Sequence, residues 1–416
     1  MEKILENIGI GVLISSFLGA YLGLPGHQSI FLFRILLVLH VIMFVFFGIK
    51  EWNRLFNLRY FFLLLGIWLI GNCYTLFWVI ERGEALRYIY YVMEACYIIF
   101  LIIYYISLKK NYCFFVKVLI AFYLIAIIIG LIEVFIGWHL PLSGSVFYET
   151  STSQYQPTAF LFNTNDYAMF LAIFLPLVFY ELWESYNSFW NQCLAILVLL
   201  LSVFLVITTY SRLGIVTIFV EFLVIFWCYL RKSAIFVLFT MSIYFFIDSF
   251  FQQGLLANIK NIIISSFTTK DASTDDRMNL YQISWEIIRD SHFIGIGAGN
   301  VPIQIHNYLT GNETTENLYR APHNFWLETI GGIGFFAASI IIFIIIMIIL
   351  SIRIWWINRN VKQTIKYFIP IMIVIVFCIS SVALSTIIEK RYLWLALGVA
   401  LGMIDSNFIK SEREGV

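Results

Sequence analysis

Arg212 stands in the stretch TTYSRLGIV, residues 208–216, inside an apolar run from Cys193 to Leu230. An arginine so placed either snorkels to lipid phosphate or meets a dedicated anion. Its guanidinium is permanently charged and forked for two-point contact, which suits a phosphate or pyrophosphate. Two further stretches hold polar groups that the composition does not require. DDRMNLYQISWEIIRD, residues 275–290, contains Arg277, and APHNFWLETIGGIG, residues 321–334, contains His323. His323 is predicted to sit at the mouth of an apolar helix running to about Leu350, just after Pro322. Taken alone, a histidine there reads as an ordinary boundary residue.

Other chemistries fail on spacing. DASTDD, residues 271–276, sets Asp271, Ser273 and Asp275 at the alternation of a calcium loop, but Asp276 stands where its glycine belongs and Gln282 where its glutamate belongs. GIGAGN ends in Asn300 where a dinucleotide fingerprint needs a third spaced glycine, and it lacks a βαβ setting; it reads as a flexible turn. Cys73, Cys96, Cys113, Cys193, Cys228 and Cys378 fall in apolar segments without metal or redox spacing. NET, residues 312–314, fits a glycosylation sequon, which is uninformative in a bacterium.

The elements that must position these groups follow from composition. With 61% of residues hydrophobic and 12% charged, the chain reads as a polytopic membrane protein. A hydrocarbon core of ~30 Å needs about 20 helical residues. Twelve stretches qualify, starting near Ile8, Ile30, Tyr60, Tyr88, Tyr112, Tyr167, Cys193, Leu213, Ser233, Phe325, Lys366 and Tyr392. They are continuous rather than alternating, so the predicted fold class is all-α, not an outer-membrane barrel. The leader MEKILEN is too weakly basic for a cleaved signal peptide. The run from Cys193 to Leu230 is 38 residues, ~57 Å as one helix, so it must fold back. Tyr210, Ser211 and Arg212 mark the turn, and Glu221 falls on the opposite face, too far along to pair with Arg212.

Basic residues set the orientation. With the N-terminus inside, fourteen fall on the cytoplasmic side: Lys3, Lys50, Arg54, Arg59, Lys109, Lys110, Arg231, Lys232, Arg353, Arg359, Lys362, Lys366, Lys410 and Arg413. Five, Arg82, Arg87, Arg212, Lys390 and Arg391, fall in short outer loops. Both termini are therefore expected inside, and two long connections outside: residues 139–165 and 251–322. Within the second, residues 275–290 predict an amphipathic helix with Met278, Tyr281, Ile283, Trp285 and Ile288 on its apolar face. Arg34, His40, Glu94, Lys117, Glu133 and Glu221 are ionisable groups inside spans. Lys117 reads as snorkelling. Glu133, near the outer end of its span, is a second-tier site candidate that would orient an arginine. Asn163 and Asn165 open the sixth span, where they would either bind sugar or phosphate or cap the helix.

GLIEVFIGWHLP (130–141), FLFNTNDYAMFLAIFLP (160–176), TYSRLG (209–214), Arg277 with Trp285, HFIGIGAGN (292–300) and HNFWLETIGGIG (323–334) together resemble the O-antigen polymerase and ligase superfamily. These are integral-membrane glycosyltransferases acting on undecaprenyl-pyrophosphate-linked glycans. The resemblance covers residues ~120–340 and rests on order, spacing and topology: an arginine after the seventh span, an arginine in a large outer loop, and a histidine closing that loop. It implies that Arg212 and Arg277 hold the donor pyrophosphate and that His323 is the general base for the acceptor hydroxyl, with inversion at the anomeric centre and no metal or cofactor. Glu133, Asn163, Asn165 and Asn324 complete the expected substrate-binding set. The implied setting is the bacterial plasma membrane with the site facing outward. The implied partners are a lipid-linked glycan donor, a glycan or lipid-linked acceptor, a chain-length regulator and a repeat-unit flippase, with no nucleic acid.

The rival reading is a secondary transporter or lipid flippase. Such chains show an internal repeat and interrupted midplane helices. No repeat relates the halves here, and the polar residues gather toward one face. Between polymerase and ligase, Glu133, Gly137, His139, Leu140 and Pro141 look more like the polymerase and Gram-positive branch.

Overall fold

Long runs of Leu, Ile, Phe and Val with few interior breakers leave the backbone one way to satisfy its hydrogen bonds in lipid, the helix. The computed structural model describes residues 2–24, 27–48, 52–106, 109–144, 154–185, 188–230, 271–310, 321–358 and 364–413. In chain order these form α1 (Glu2–Leu18), a hairpin of β1 (Gly23–Leu24) and β2 (His27–Phe31), α2 (Leu32–Phe47), α3 (Arg59–Tyr74), α4 (Arg82–Leu101) and α5 (Lys109–Ile136). There follow α6 (Thr164–Tyr180), α7 (Phe189–Thr208), α8 (Arg212–Leu230), α9 (Asp271–Asp290), α10 (Val301–Thr310), α11 (Phe325–Ile333), α12 (Ala338–Asn358), α13 (Thr364–Ala383) and α14 (Arg391–Arg413). The hairpin, antiparallel with Gly23 opposite Phe31, qualifies the expectation of an all-α chain.

Each predicted span on described residues overlaps a helix, but among those residues seven helices are long and apolar enough to cross a membrane: Leu55–Phe77, Arg82–Ile106, Asn111–Ile136, Thr164–Glu184, Phe189–Thr208, Phe325–Asn358 and Ile365–Val382. Leu32–Phe47 is apolar but shorter. This is a multi-pass membrane protein. The expected span from Ser233, parts of both long connections (145–153, 251–270 and 311–320), the NET sequon, and Lys50, Arg231, Lys232, Arg359 and Lys362 lie outside the described residues.

The chain divides into two units. One comprises Met1–Phe115, Ala272–Ile357 and Ile373–Val416, the other Val116–Asp271 and Asn358–Met372. At the centre of the first, Trp394 packs on Trp68 (centroids 5.4 Å), Phe377 (5.2 Å) and Phe325 (6.0 Å). The second is built on α6, buried at every residue from Asp166 to Tyr180, as expected of a helix apolar all round. Two phenols tie α5 to it: Tyr123 donates to the Leu171 carbonyl at 3.0 Å, and Tyr167 to the Ala126 carbonyl at 2.9 Å.

Candidate functional site

In the second unit, the apolar run from Cys193 breaks where its length requires. α7 ends at Thr208, Tyr210 takes a left-handed φ of +58°, and α8 begins at Arg212. Ser211 caps α8, its hydroxyl accepting from Gly214 N at 3.3 Å, and Thr209 Oγ1 closes α7 on the Val206 carbonyl at 2.6 Å. The half-buried Arg212 is thereby the first residue of its helix, fixed by a turn that leaves it little freedom of placement.

Asn163 caps α6, its side chain accepting from Asp166 N at 2.8 Å, which is the capping alternative for this residue. Asn165 lies half-buried in the first turn. Glu133 is fully buried at the end of α5. Its Oε2 accepts from Thr158 N and Ala159 N, both at 2.7 Å. Its Oε1 accepts from Thr158 Oγ1 at 3.2 Å and lies 3.0 Å from His139 Nδ1. His139 Nε2 in turn lies 2.8 Å from the Gln154 carbonyl. The expectation that Glu133 orients an arginine is corrected: both its oxygens are engaged by the connection that follows its helix. Glu133→Gln turns an amide NH₂ toward donors in a closed, buried site. That should cost about 3–5 kcal/mol, the scale for breaking a buried charged pair. The measurable outcome is a lowered thermal midpoint with new protease cleavage within residues 137–163.

α9, which from Ala272 onward belongs to the first unit, begins at Asp271, so the DASTDD segment is helix. Its buried stripe is Leu280, Ile283 and Ile287, packed on Val301 and Ile305 of α10. Met278 and Trp285, expected on the apolar face, are exposed, at 53% each. Arg277 and Tyr281 stand one turn apart and so share a side of α9. Tyr281 donates to the His323 carbonyl at 3.2 Å, and the Arg277 guanidinium lies near enough to the His323 ring to disfavour its protonated form.

His323 is not itself helical, as expected of it, but takes a left-handed φ of +52° just ahead of α11. A side chain in that conformation is strained, at about 1–3 kcal/mol, and persists only where the surroundings enforce it. Here they do: Tyr281 holds its carbonyl, and Asn324 caps α11 by accepting from Trp326 N (3.0 Å) and Leu327 N (3.2 Å). His323 Nδ1 is buried and has no hydrogen-bond partner among the described residues. Burial first, and Arg277 second, hold the imidazole below its ordinary range, so the ring is neutral at neutral pH.

The GIGAGN turn, expected to be flexible, is packed. Ile296 N and Gly297 N donate to the Gly331 and Gly332 carbonyls of α11, both at 2.9 Å, while Phe335 N donates to the Phe293 carbonyl at 2.9 Å. Trp78 Nε1 reaches the Gly295 carbonyl at 2.9 Å, and Asn300 Oδ1 accepts from Glu81 N at 2.9 Å. Gly297 (φ +121°) and Gly334 (φ +59°) have no room for a side chain: a Cβ would enter Val79 at the first and the Phe293 carbonyl at the second. Gly334 also interrupts the long helix expected from His323, separating α11 from α12.

Sequence reasoning missed two groups. Glu328 and Thr329 lie within the quoted HNFWLETIGGIG yet were not singled out; both are buried on α11, beside the buried Tyr88 of α4. The second is His139, the partner of Glu133. The E-x5-H spacing was the signal available there.

A family model described as O-antigen ligase matches residues 196–342, a span that includes Arg212, Arg277 and His323. The chain is also 23% identical over 421 residues to the teichuronic acid biosynthesis protein TuaE of Bacillus subtilis (strain 168), covering 94% of this chain and 81% of that protein. The motifs, the family match and the curated relative all point one way, and together they support a place for this multi-pass membrane protein in the O-antigen polymerase and ligase superfamily.

Proposed function

We propose that the chain is a membrane glycosyltransferase that polymerises undecaprenyl-pyrophosphate-linked repeat units into a surface polysaccharide on the outer face of the plasma membrane. The observation that carries this reading is His323. Its imidazole has a buried ring nitrogen without a partner among the described residues, is held in a strained conformation, and stands beside a guanidinium that, after burial, disfavours the charged ring. Strain kept by surrounding bonds, next to a charge fitted to phosphate, is what a pre-organised site looks like.

In this reading the acceptor hydroxyl gives its proton to His323 while its oxygen attacks the donor's anomeric carbon. The bond from that carbon to the pyrophosphate oxygen breaks, and undecaprenyl pyrophosphate leaves with the electron pair. Attack opposite the leaving group inverts the centre. Arg277 and Arg212 stabilise the charge that develops on the leaving pyrophosphate. Asn165, the Asn324 amide nitrogen and Glu328 are available for the sugars. Capping occupies the side-chain oxygens of Asn163 and Asn324, and the loop network occupies Glu133.

A ligase would share the donor and differ in the acceptor. The pattern of Glu133, Gly137, His139, Leu140 and Pro141 favours the polymerase, and the relative's name, which concerns teichuronic acid biosynthesis, is compatible with it. The purified chain, given one lipid-linked repeat unit and no other acceptor, is expected to produce a ladder of lengthened glycans together with free undecaprenyl pyrophosphate, and to do so in excess EDTA. A ladder that appears only when a terminal acceptor is added would make it a ligase. Loss on chelation, restored by magnesium or manganese, would refute the metal-independent route.

A further inference from the structure

Three ionisable groups noticed in or beside the spans are not used by this reaction, and the fold brings them together. Glu94 of α4 is 3% exposed and lies between two arginines. Arg391 Nε donates to its Oε2 at 2.9 Å, and Arg34 Nε lies 3.6 Å from its Oε1. Both guanidiniums also rest on the Phe31 ring, at 4.9 Å for Arg391 and 4.7 Å for Arg34. Phe33 at 4.6 Å from Arg391 and Tyr90 at 4.9 Å from Arg34 complete an aromatic bed. Within this triad one carboxylate faces two permanent cations. Each is engaged there through Nε, and the side chains remain 25% and 14% exposed.

Arg34 is in the first turn of α2 and Arg391 is the first residue of α14, so two positive helix ends stand beside Glu94, which lies within the candidate span Arg82–Ile106. α2, α4 and α14 run in the same direction: Arg34 meets Glu94 while Phe44 meets Tyr104, and Arg391 meets Glu94 while Gly398 meets Ile102. Trp394, one turn beyond Arg391, packs on Phe325, the first residue of the helix that His323 precedes. The arginine pair therefore belongs to the same end of the same unit as His323.

Resting on the polymerase reading, we infer that Arg34 and Arg391, spaced by Glu94, bind the lipid-borne phosphate or pyrophosphate of the acceptor. A polymerase joins two lipid-linked substrates, so it needs a second pyrophosphate site besides that of the donor, and both lipids must stand at the headgroup level. Two guanidiniums held apart by a shared carboxylate have the charge and fork geometry for that ligand. Glu94 is the positioning residue. It keeps two like charges together in the absence of ligand.

The test is binding stoichiometry. The full-length protein in phosphatidylcholine nanodiscs is titrated with undecaprenyl pyrophosphate and read by native mass spectrometry, with thermal midpoints recorded alongside. Wild type is expected to take two equivalents. Arg34→Gln should keep its thermal midpoint, because Arg391 still pairs with Glu94, and lose the second equivalent with an affinity drop of roughly tenfold or more. Arg34→Lys, which retains the charge and so guards against misfolding, should show a smaller loss in the same equivalent. Arg277→Gln should also fall to one equivalent, and the Arg34→Gln/Arg277→Gln double variant to none. Two equivalents retained in Arg34→Gln would overturn the site. A single wild-type equivalent lost only in Arg277→Gln would overturn it while leaving the proposed function intact, whereas no wild-type binding would overturn both. Displacement of the Arg34-dependent equivalent by excess phosphatidylglycerol would make this a general anionic-phospholipid site and overturn the acceptor assignment.

Discussion

His323→Ala is expected to bind undecaprenyl-pyrophosphate glycan as wild type does, while its turnover falls by roughly 10²–10⁴, the range expected when a general base is removed. The separation follows from the proposed roles: the imidazole acts on the acceptor, and the arginines hold the donor. The pH profile gives a second readout whose sign is determined. The base works as the neutral ring, so the rate is full above the pKa of His323 in the folded protein and falls as pH drops through it. Burial, and then Arg277, set that pKa below the ordinary histidine range. The acid limb should accordingly appear below the usual histidine midpoint and move toward higher pH in Arg277→Gln, where the neighbouring cation is gone. A turnover and pH profile unchanged in His323→Ala would make the histidine structural and send the search to Glu328, the buried carboxylate that follows it on α11.

Arg212→Ala membranes are expected to contain folded, inserted protein and no detectable polymer, with the rate down by roughly 10²–10³ or more for the loss of a preorganised charge on the leaving group. Arg212→Lys should be nearly as damaging, since an ammonium keeps the charge and loses the fork. The Ser211 hydroxyl cap and the left-handed Tyr210, which set the turn, are kept in both substitutions. Polymer of wild-type length from Arg212→Ala membranes would refute the assignment. Polymer restored in Arg212→Lys alone would show that charge suffices and that the two-point contact does not matter.

Legibility tracked the range of the interaction responsible. The break before Arg212 was readable because 38 apolar residues cannot cross a membrane once, and polar residues then mark the turn. Helix α9 was readable from its period, and its buried face only in part: Ile283 and Ile288 are buried as expected, Met278 and Trp285 are not. Leu280 and Ile287 are buried because α10 lies against them, and Met278 and Trp285 are equally apolar yet have no such neighbour. The glycines of GIGAGN read as looseness, whereas three of them are there because Gly332, Val79 and Tyr88 approach too closely for a side chain. Glu133 was visible as a buried carboxylate, but two of its three partner residues, Thr158 and Ala159, lie 25 and 26 residues away. Composition cannot name a partner at that separation. Hydropathy finds apolar runs well and their helical lengths less well, because turns at Gly334 and after α1 redistribute residues between helix and connection.

The clasp between residues 293–297 and the Gly331–Phe335 segment bears on how a polymer could grow here. Among the described residues, the backbone around His323 is held by Tyr281 of α9 and by the Asn324 cap of α11, the helix this clasp grips, so the imidazole sits on an anvil rather than on an arm. In the proposed polymerase, a lengthening product would then be drawn past a stationary tool, one repeat at a time. Processivity would be decided by how the lipid-borne chain is paid out and regripped, and the stroke length by the size of the sugar repeat rather than by any swing of the protein.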